Sequence, residues 1–258
     1  MEKKFLEVVV IGVQGALRNP FLESQLVDFD VRYIEPVTVL GRAQIEPEAA
    51  RVANRQIIGR DLLNAEIGCS LAHESARAAI VADWGLILED DAQIRSEAIH
   101  RIVNLVSQIS FSGPTVITLF DEAQVSVQKL MIERLNHMPG IAIAYLASRS
   151  TADLDGALNS RIGTADWPLS FLGANFFALR GTGVSEFGSL STIDAAGERG
   201  TRSGAYYKNA ISNLLPVLKC YGKDAVKYSL LLPARRDFAN RKRKAKKLAL
   251  SWIGLSRD

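Results

Sequence analysis

The stretch Leu-Ile-Leu-Glu-Asp-Asp (86–91) places three apolar residues directly before three acids. The apolar run predicts a short buried strand, and the acids come where that strand leaves the sheet. In open α/β sheets, ligands bind beyond the carboxyl ends of the strands, so the acids mark a candidate site. A strand that ends in a solvated acidic turn has the same pattern, so this alternative remains open.

Strand-like and helix-like segments alternate on both sides of this stretch. The predicted strands are residues 5–13, 27–37, 84–91, 115–120 and 141–148, and the predicted helices are residues 61–83 and 96–109. Asn64 is the expected N-cap of the first helix. The alternation predicts an α/β fold with an open, mainly parallel sheet covered by helices. Residues 160–205 are rich in Gly, Ser and Thr, and we expect them to cover the substrate or to form an irregular surface segment.

The composition excludes several classes of protein. Hydrophobic residues make up 48% of the 258 residues, which is enough for a sizeable core. The longest apolar runs are too short for a membrane-spanning helix. Two cysteines, Cys69 and Cys220, are too few for a disulfide framework or a structural zinc site, and Cys69 is expected to serve in packing. Glu7 interrupts the apolar N-terminal stretch, so we expect a first strand rather than a signal peptide, and a reducing, cytoplasmic compartment.

The net charge of +3 divides unevenly along the chain. Residues 234–258 hold nine Lys/Arg and two Asp, whereas residues 1–233 hold 22 bases and 26 acids. We therefore expect a mildly acidic globular domain over residues 1–233 and a basic amphipathic helix over residues 234–258. The basic cluster precedes an apolar stripe that includes Trp252, so residues 235–255 are predicted to contact an anionic membrane surface. A solvated tail and a nucleic-acid-binding arm are the alternatives, but no other basic patch supports nucleic acid as a partner.

A polar stripe lies on the predicted helix before the acidic stretch. Glu66, Ser70, His73 and Arg77 are spaced by four, three and four residues, so they share one helical face. Beside an acidic strand end, such a face suits a phosphate or a sugar hydroxyl. A solvated face is the alternative interpretation.

The three adjacent carboxylates at 89–91 repel one another unless a positive group lies among them. A divalent cation that prefers oxygen ligands is the natural candidate, and such a cation also binds diphosphate oxygens. Strand alternation predicts that Glu89 and Asp91 point to one side and Asp90 to the other.

These motifs resemble glycosyltransferase family 25, the lipooligosaccharide galactosyltransferase family. Its pattern is E-x-G-C-x-x-S-H followed by I-L-E-D-D, and residues 64–73 and 86–91 match it with Ala72 in place of the serine. Residues 144–149 (AYLASR) are similar to the family's G-x-x-x-Y-x-x-S-R strand, and residues 165–167 (ADW) to its later P-V-D element. The resemblance covers about residues 5–170 and departs at the first strand, where Ile-Gly-Val stands in place of the family's I-N-L.

The resemblance implies a GT-A-like (Rossmann-like) nucleotide-sugar-binding sheet flanked by helices. It implies a metal-dependent, inverting transfer of a hexose, expected to be galactose, from a UDP-sugar to a lipooligosaccharide or other cell-envelope glycan. The enzyme would act on the cytoplasmic face of the inner membrane. Asp91 and Glu89 would hold Mn²⁺ or Mg²⁺. The residues expected to bind the donor are Glu66, His73, Glu89, Asp90 and Gly12.

Inversion in one step needs a carboxylate base on the acceptor hydroxyl, and Asp166 is the expected base because it matches an acid of the family. A turn cap before Pro168 is its alternative role, and Asp153, Asp155 and Asp194 are weaker candidates. Trp167 is expected either to stack on an acceptor sugar or to lie in the core. A catalytically silent sugar-binding or scaffold protein of the same fold remains the alternative function.

Overall fold

The computed structural model describes residues 5–37, 62–120, 130–135, 142–155, 167–168, 171 and 174–187. The strands in these residues are β1 (Leu6–Ile11), β2 (Val31–Ile34), β3 (Trp84–Glu89), β4 (Ala92–Gln93), β5 (Thr115–Thr118), β6 (Met131–Arg134), β7 (Ala144–Ser148), β8 (Asn175–Arg180) and β9 (Ser185–Glu186). The α-helices are α1 (Leu22–Gln25), α2 (Asn64–Ala78), α3 (Ser96–Val106) and α4 (Ala152–Asp155). None of the described helices is long and apolar enough to cross a membrane.

Seven of the strands form one central sheet in the order β2-β1-β3-β7-β5-β8-β6. Strands β1, β2 and β3 are mutually parallel, and β5 is parallel to β8. Strand β7 runs antiparallel to both β3 and β5, and β6 runs antiparallel to β8. Five of the seven strands therefore point the same way, which confirms the expected α/β fold with a mainly parallel sheet.

Helices cover both faces of this sheet. Alternate residues of β1 point to opposite faces: Val9 and Ile11 pack on the α2 side, whereas Val8 and Val10 pack on the side of α1 and α3. The β-branched run of β1 suits such a position, because its side chains fill both layers of the core. Residues Leu86 and Leu88 of β3 continue the α1/α3 layer and are fully buried.

The direction of the chain changes at the carboxyl ends of β1 and β3. From β1 the chain passes to β2 on one side, and then returns past β1 to β3 on the other side. Helix α1 lies between β1 and β2 in the chain and α2 between β2 and β3, and their apolar residues belong to different core layers. Such a change of direction is the topological switch point, where open α/β sheets bind ligands. The acidic stretch after β3 therefore lies at the expected position.

Three sequence expectations differ from the structure. Helix α2 does begin at residue 64, but Asn64 is not its cap: Leu63 occupies that position, and the backbone N–H of Leu63 donates to Glu66 Oε2 at 2.8 Å. Residues 160–205 were expected to cover the substrate or to form an irregular surface segment, yet residues 175–180 form β8 within the sheet. Strand β6 was missed because it has only four residues and is mostly exposed, so it lacks an apolar pattern.

Candidate functional site

The acidic stretch is held in place by two other segments of the chain. Strand β3 ends at Glu89, and Asp90 and Asp91 turn into β4, which pairs with β9. The backbone N–H of Asn19, in the loop after β1, donates to the Asp90 carbonyl oxygen at 2.8 Å. From β9's side, the N–H of Phe187 donates to the Asp91 carbonyl oxygen at 2.7 Å. The three carboxylates are therefore mounted on a turn with a fixed backbone.

A guanidinium group lies among these carboxylates. Arg18 Nε donates to Asp90 Oδ1 at 2.7 Å, and its Nη1 lies 2.9 Å from Asp91 Oδ2. Its Nη2 lies 2.6 Å from Asp90 Oδ1 and 3.9 Å from Glu89 Oε2. The three acids thus converge on one cation, because Asp90 and Asp91 lie in a turn and do not continue the strand alternation that was expected.

The sequence interpretation missed Arg18. It required a positive group among the acids and assigned that role to a metal ion alone. One signal was available: Arg18 is the only basic residue between β1 and α1, and this loop leaves the sheet at the same edge as the acids. Its distance of 72 residues from Asp90 hides the pairing from any local pattern.

Gly12 lies at the base of the same loop, and its expected contact with the nucleotide-sugar donor stays a prediction. A Cβ atom at Gly12 would lie 2.8 Å from the Asp90 Cβ and 2.7 Å from the Leu17 Cδ2. Glycine therefore allows the loop after β1 to approach the acidic turn closely. The structure gives Gly12 a steric role in bringing the two segments together.

Asp91 is the most unusual of the three acids. It is only 3% exposed, and its Oδ1 has no hydrogen-bond partner among the described residues. Burial raises the pKa of Asp91 to about 7, and the charges of Glu89, Asp90 and Glu186 act in the same direction, while Arg18 opposes them. A buried carboxylate oxygen without a donor suits a hard divalent cation, so the residues present fit Mn²⁺ or Mg²⁺. The assignment of Asp91 and Glu89 as ligands stays a prediction.

The polar face of α2 is buried, so its interpretation as a solvated face is wrong. Glu66 and Ser70 are 9% and 8% exposed, and His73 and Arg77 are fully buried. Glu66 closes the first turn of the helix through its bond to the Leu63 N–H. This bond gives Glu66 a structural role. Its expected contact with the nucleotide-sugar donor stays a prediction.

His73 and Arg77 belong to a buried hydrogen-bonded chain that ends at the acidic turn. Arg77 binds both carboxylate oxygens of Asp155, at 2.6 and 2.7 Å, and its Nη1 donates to the Tyr145 hydroxyl oxygen at 3.1 Å. His73 Nδ1 lies 3.0 Å from that hydroxyl, and Nε2 lies 3.2 Å from Glu89 Oε1. With neutral His73 the donors run in one direction: Arg77 to Tyr145, Tyr145 to His73 Nδ1, and His73 Nε2–H to Glu89.

This chain keeps Glu89 ionised. Burial alone would raise the pKa of Glu89, but its interactions with His73, and to a smaller degree the charge of Arg18, lower it below its ordinary value. Glu89 and Asp91 therefore differ in the direction of their pKa shifts although only two positions separate them. Neighbouring groups with opposed shifts are typical of functional sites.

Helix α2 and β3 also bring together three side chains that bind metals. The ligand atoms of Cys69, His73 and Glu89 all lie within 4.8 Å of one another. These residues offer sulfur, nitrogen and oxygen, whereas the acidic turn offers oxygen alone. A possible metal-binding triad therefore lies beside the acidic turn and shares Glu89 with it.

Several expected site residues have other roles or lie elsewhere. Trp167 is 1% exposed and packs against Tyr145, Phe171 and Phe176, so it is a core aromatic and does not stack on a sugar. Asp155 is already engaged by Arg77, which removes it as a candidate base.

Asp153 is an exposed residue of α4 and stays a weaker candidate base, whereas the other candidates and the tail are not placed by the structure. Asp166, Asp194 and residues 234–258 lie outside the described residues, as does Cys220. No protein-family model matches the chain, and no curated protein matches it. The functional interpretation therefore rests on the geometry of the acidic turn, together with the motif resemblance.

Proposed function

We propose that the protein is a metal-dependent glycosyltransferase with a GT-A-like fold, which moves a hexose from a UDP-sugar to a cell-envelope glycan. The observation that carries this proposal is the convergence of Glu89, Asp90, Asp91 and Arg18 at the switch point of the sheet. This set of groups suits a ligand that carries a diphosphate, since it combines carboxylates for a cation with a guanidinium for phosphate oxygens.

The carboxylates would bind the cation, and Arg18 would bind the phosphate oxygens. Asp91 and Glu89 would hold Mn²⁺ or Mg²⁺, and the bound cation would offset the charge that builds on the departing nucleoside diphosphate. Arg18 would turn from the carboxylates towards the phosphate oxygens when the cation takes its place. His73 would keep Glu89 in position, because its ring is fixed between Glu89 and the Tyr145 hydroxyl.

Asp166 remains our candidate for the base that removes the proton from the acceptor hydroxyl. An inverting transfer needs this carboxylate on the face of the sugar opposite the leaving diphosphate. The support for Asp166 is its match to the family's acid. Its expected behaviour is specific: Asp166→Asn should bind the donor normally and lose transfer.

Sugar transfer by purified protein, with and without Mn²⁺, tests the assignment of the metal. Asp91→Ala should abolish metal stimulation while the protein stays folded by circular dichroism. Asp28→Asn is a matched control for Asp166→Asn, since Asp28 is an exposed acid outside the candidate site. Full metal-stimulated transfer by Asp91→Ala would remove the metal assignment, and unchanged turnover by Asp166→Asn would remove the base. A protein that binds UDP-sugar with Mn²⁺ but never hydrolyses or transfers it would support the scaffold alternative.

We also propose that residues 235–255 bring the enzyme to an anionic membrane surface. The support is the eight Lys/Arg between Arg235 and Lys247, each worth about 1 kcal/mol near an anionic surface, together with the adjoining apolar stripe. Flotation with vesicles that contain anionic lipid should capture the full chain and not a chain that ends at residue 234. Equal capture of both chains would refute this contact.

A further inference from the structure

Three different metal-binding side chains meet where α2 approaches the end of β3. Cys69 and His73 are four residues apart, so they lie on the same face of α2. Glu89 reaches them from β3, and its Oε1 lies 3.2 Å from His73 Nε2. With all ligand atoms within 4.8 Å of one another, small side-chain movements would bring them to the distances of a bound ion.

The chemistry of this cluster differs from that of the acidic turn. Thiolate and imidazole ligands favour Zn²⁺ and Co²⁺, whereas Mg²⁺ and Mn²⁺ prefer carboxylate oxygens. We infer that Cys69, His73 and Glu89 form a second metal site, which takes a thiolate-binding divalent ion such as Zn²⁺ with three protein ligands.

Tyr145 supplies the support that such a site needs on its histidine. A metal-binding histidine usually has its second ring nitrogen held by a hydrogen bond, which fixes the orientation of the ring. The Tyr145 hydroxyl lies 3.0 Å from His73 Nδ1 and is held in turn by Arg77 at 3.1 Å. The ring is therefore oriented by groups that do not themselves bind the ion.

Binding of the ion would release one proton from Cys69 and move another within the His73 ring. The ion displaces the thiol proton of Cys69 to solvent and binds the resulting thiolate. The ring proton of His73 would move from Nε2 to Nδ1, where the Tyr145 oxygen accepts it, and Nε2 would become a ligand. The Tyr145 O–H would turn away from Nδ1 towards the Asp155 carboxylate, which shares Arg77 with it. His73 is fully buried, but Cys69 and Glu89 are half-buried, so an ion reaches the site from the side of these two residues.

The site has one consequence that rests on the proposed function. Because Glu89 belongs to both sites, Zn²⁺ at Cys69 and His73 would withdraw Glu89 from the acidic turn. Zn²⁺ would then inhibit Mn²⁺-supported transfer, and Cys69→Ser would relieve that inhibition without changing the transfer measured with Mn²⁺ alone.

Titration of the full chain with Co²⁺ tests the site without any activity measurement. Co²⁺ bound by a thiolate gives a sulfur-to-cobalt charge-transfer band, which one equivalent should saturate and Zn²⁺ should then abolish. Cys69→Ser should lose the band. Cys220→Ser, which changes the other cysteine, should keep it. Tyr145→Phe should keep the band but weaken binding about 10–100-fold, because the orientation of His73 is lost.

Circular dichroism and the unfolding midpoint show whether Cys69→Ser is folded. We expect it to be, because serine is close to cysteine in size. A band that survives in folded Cys69→Ser, or that disappears in Cys220→Ser, overturns the site, as does the absence of any band in the wild type. If the Co²⁺ results hold and no variant transfers sugar, the proposed function fails while the metal site stands.

Discussion

Replacing Asp91 by asparagine should stabilise the protein relative to the wild type at pH 8, and it should abolish the metal-stimulated sugar transfer that we propose. Asp91 is 3% exposed, and burial together with its acidic neighbours raises the pKa to about 7 from the ordinary value of 3.8. Its ionised form is therefore unfavourable in the folded protein. The stabilisation provided by the protonated form is fully present below about pH 4 and is lost as the pH rises through about 7.

The size of the effect follows from these two values. One pKa unit corresponds to about 1.4 kcal/mol, so the wild type should lose about 2.5 kcal/mol of stability at this group between pH 5 and pH 8. Asparagine has no charge to lose, so the free energy of unfolding of Asp91→Asn relative to wild type should rise by about 2.5 kcal/mol over the same interval. Comparing the two pH values cancels the fixed contribution of the new amide group.

Urea denaturation at pH 5 and pH 8, in the presence of a chelator, measures this difference. Asp90→Asn is the matched control: at pH 8 it should destabilise the protein, because it removes the negative charge that pairs with the Arg18 guanidinium. Added Mn²⁺ should stabilise the wild type at pH 8 and leave Asp91→Asn unchanged. Parallel pH profiles for wild type and Asp91→Asn would refute the assignment of a raised pKa to this buried carboxylate.

Three further predictions concern the groups around the acidic turn. Arg18→Gln should tighten Mn²⁺ binding about fivefold by calorimetry, because about 1 kcal/mol of competing ion pairing is removed at a side chain that is 34% exposed. The same variant should weaken UDP binding, and weaker Mn²⁺ binding would contradict the competition. Gly12→Ala should lower the free energy of unfolding in urea by about 1–3 kcal/mol, since the new Cβ would lie 2.8 Å from the Asp90 Cβ. An unchanged unfolding midpoint would show that the loop moves freely. Asp155→Ala should destabilise the protein by about 3–5 kcal/mol, because Arg77 is left buried without its carboxylate. Asp153→Ala on the same helix should have little effect, since Asp153 is exposed. Similar losses of stability for both variants would contradict the buried ion pair.

Much of the fold was predictable because the information is local. The buried run of β1 and the apolar run before Glu89 both appear as continuous β-favouring segments, and both are strands in the structure. The spacing of Glu66, His73 and Arg77 correctly predicted one helical face. Strand β8 was missed because Asn175–Arg180 has no apolar/polar alternation and follows a segment rich in Gly and Ser.

The details of the site depended on contacts between distant parts of the chain. Helical spacing shows that Arg77 and His73 share a face, but whether that face meets water or the core depends on which sheet layer α2 covers. Tyr145 and Asp155 complete this face from residues about 70–80 positions further along the chain.

The sequence by itself determined that three carboxylates follow a buried strand and that a polar helical face precedes them, because strand and helix periodicity are properties of neighbouring residues. Only the tertiary structure decided what surrounds those groups. The order of the strands brings the loop after β1 to the end of β3, which places Arg18 among the acids and buries Asp91. Burial and nearby charge then give Asp91 and Glu89 opposite pKa shifts, a distinction that two acids in one short run of sequence do not reveal.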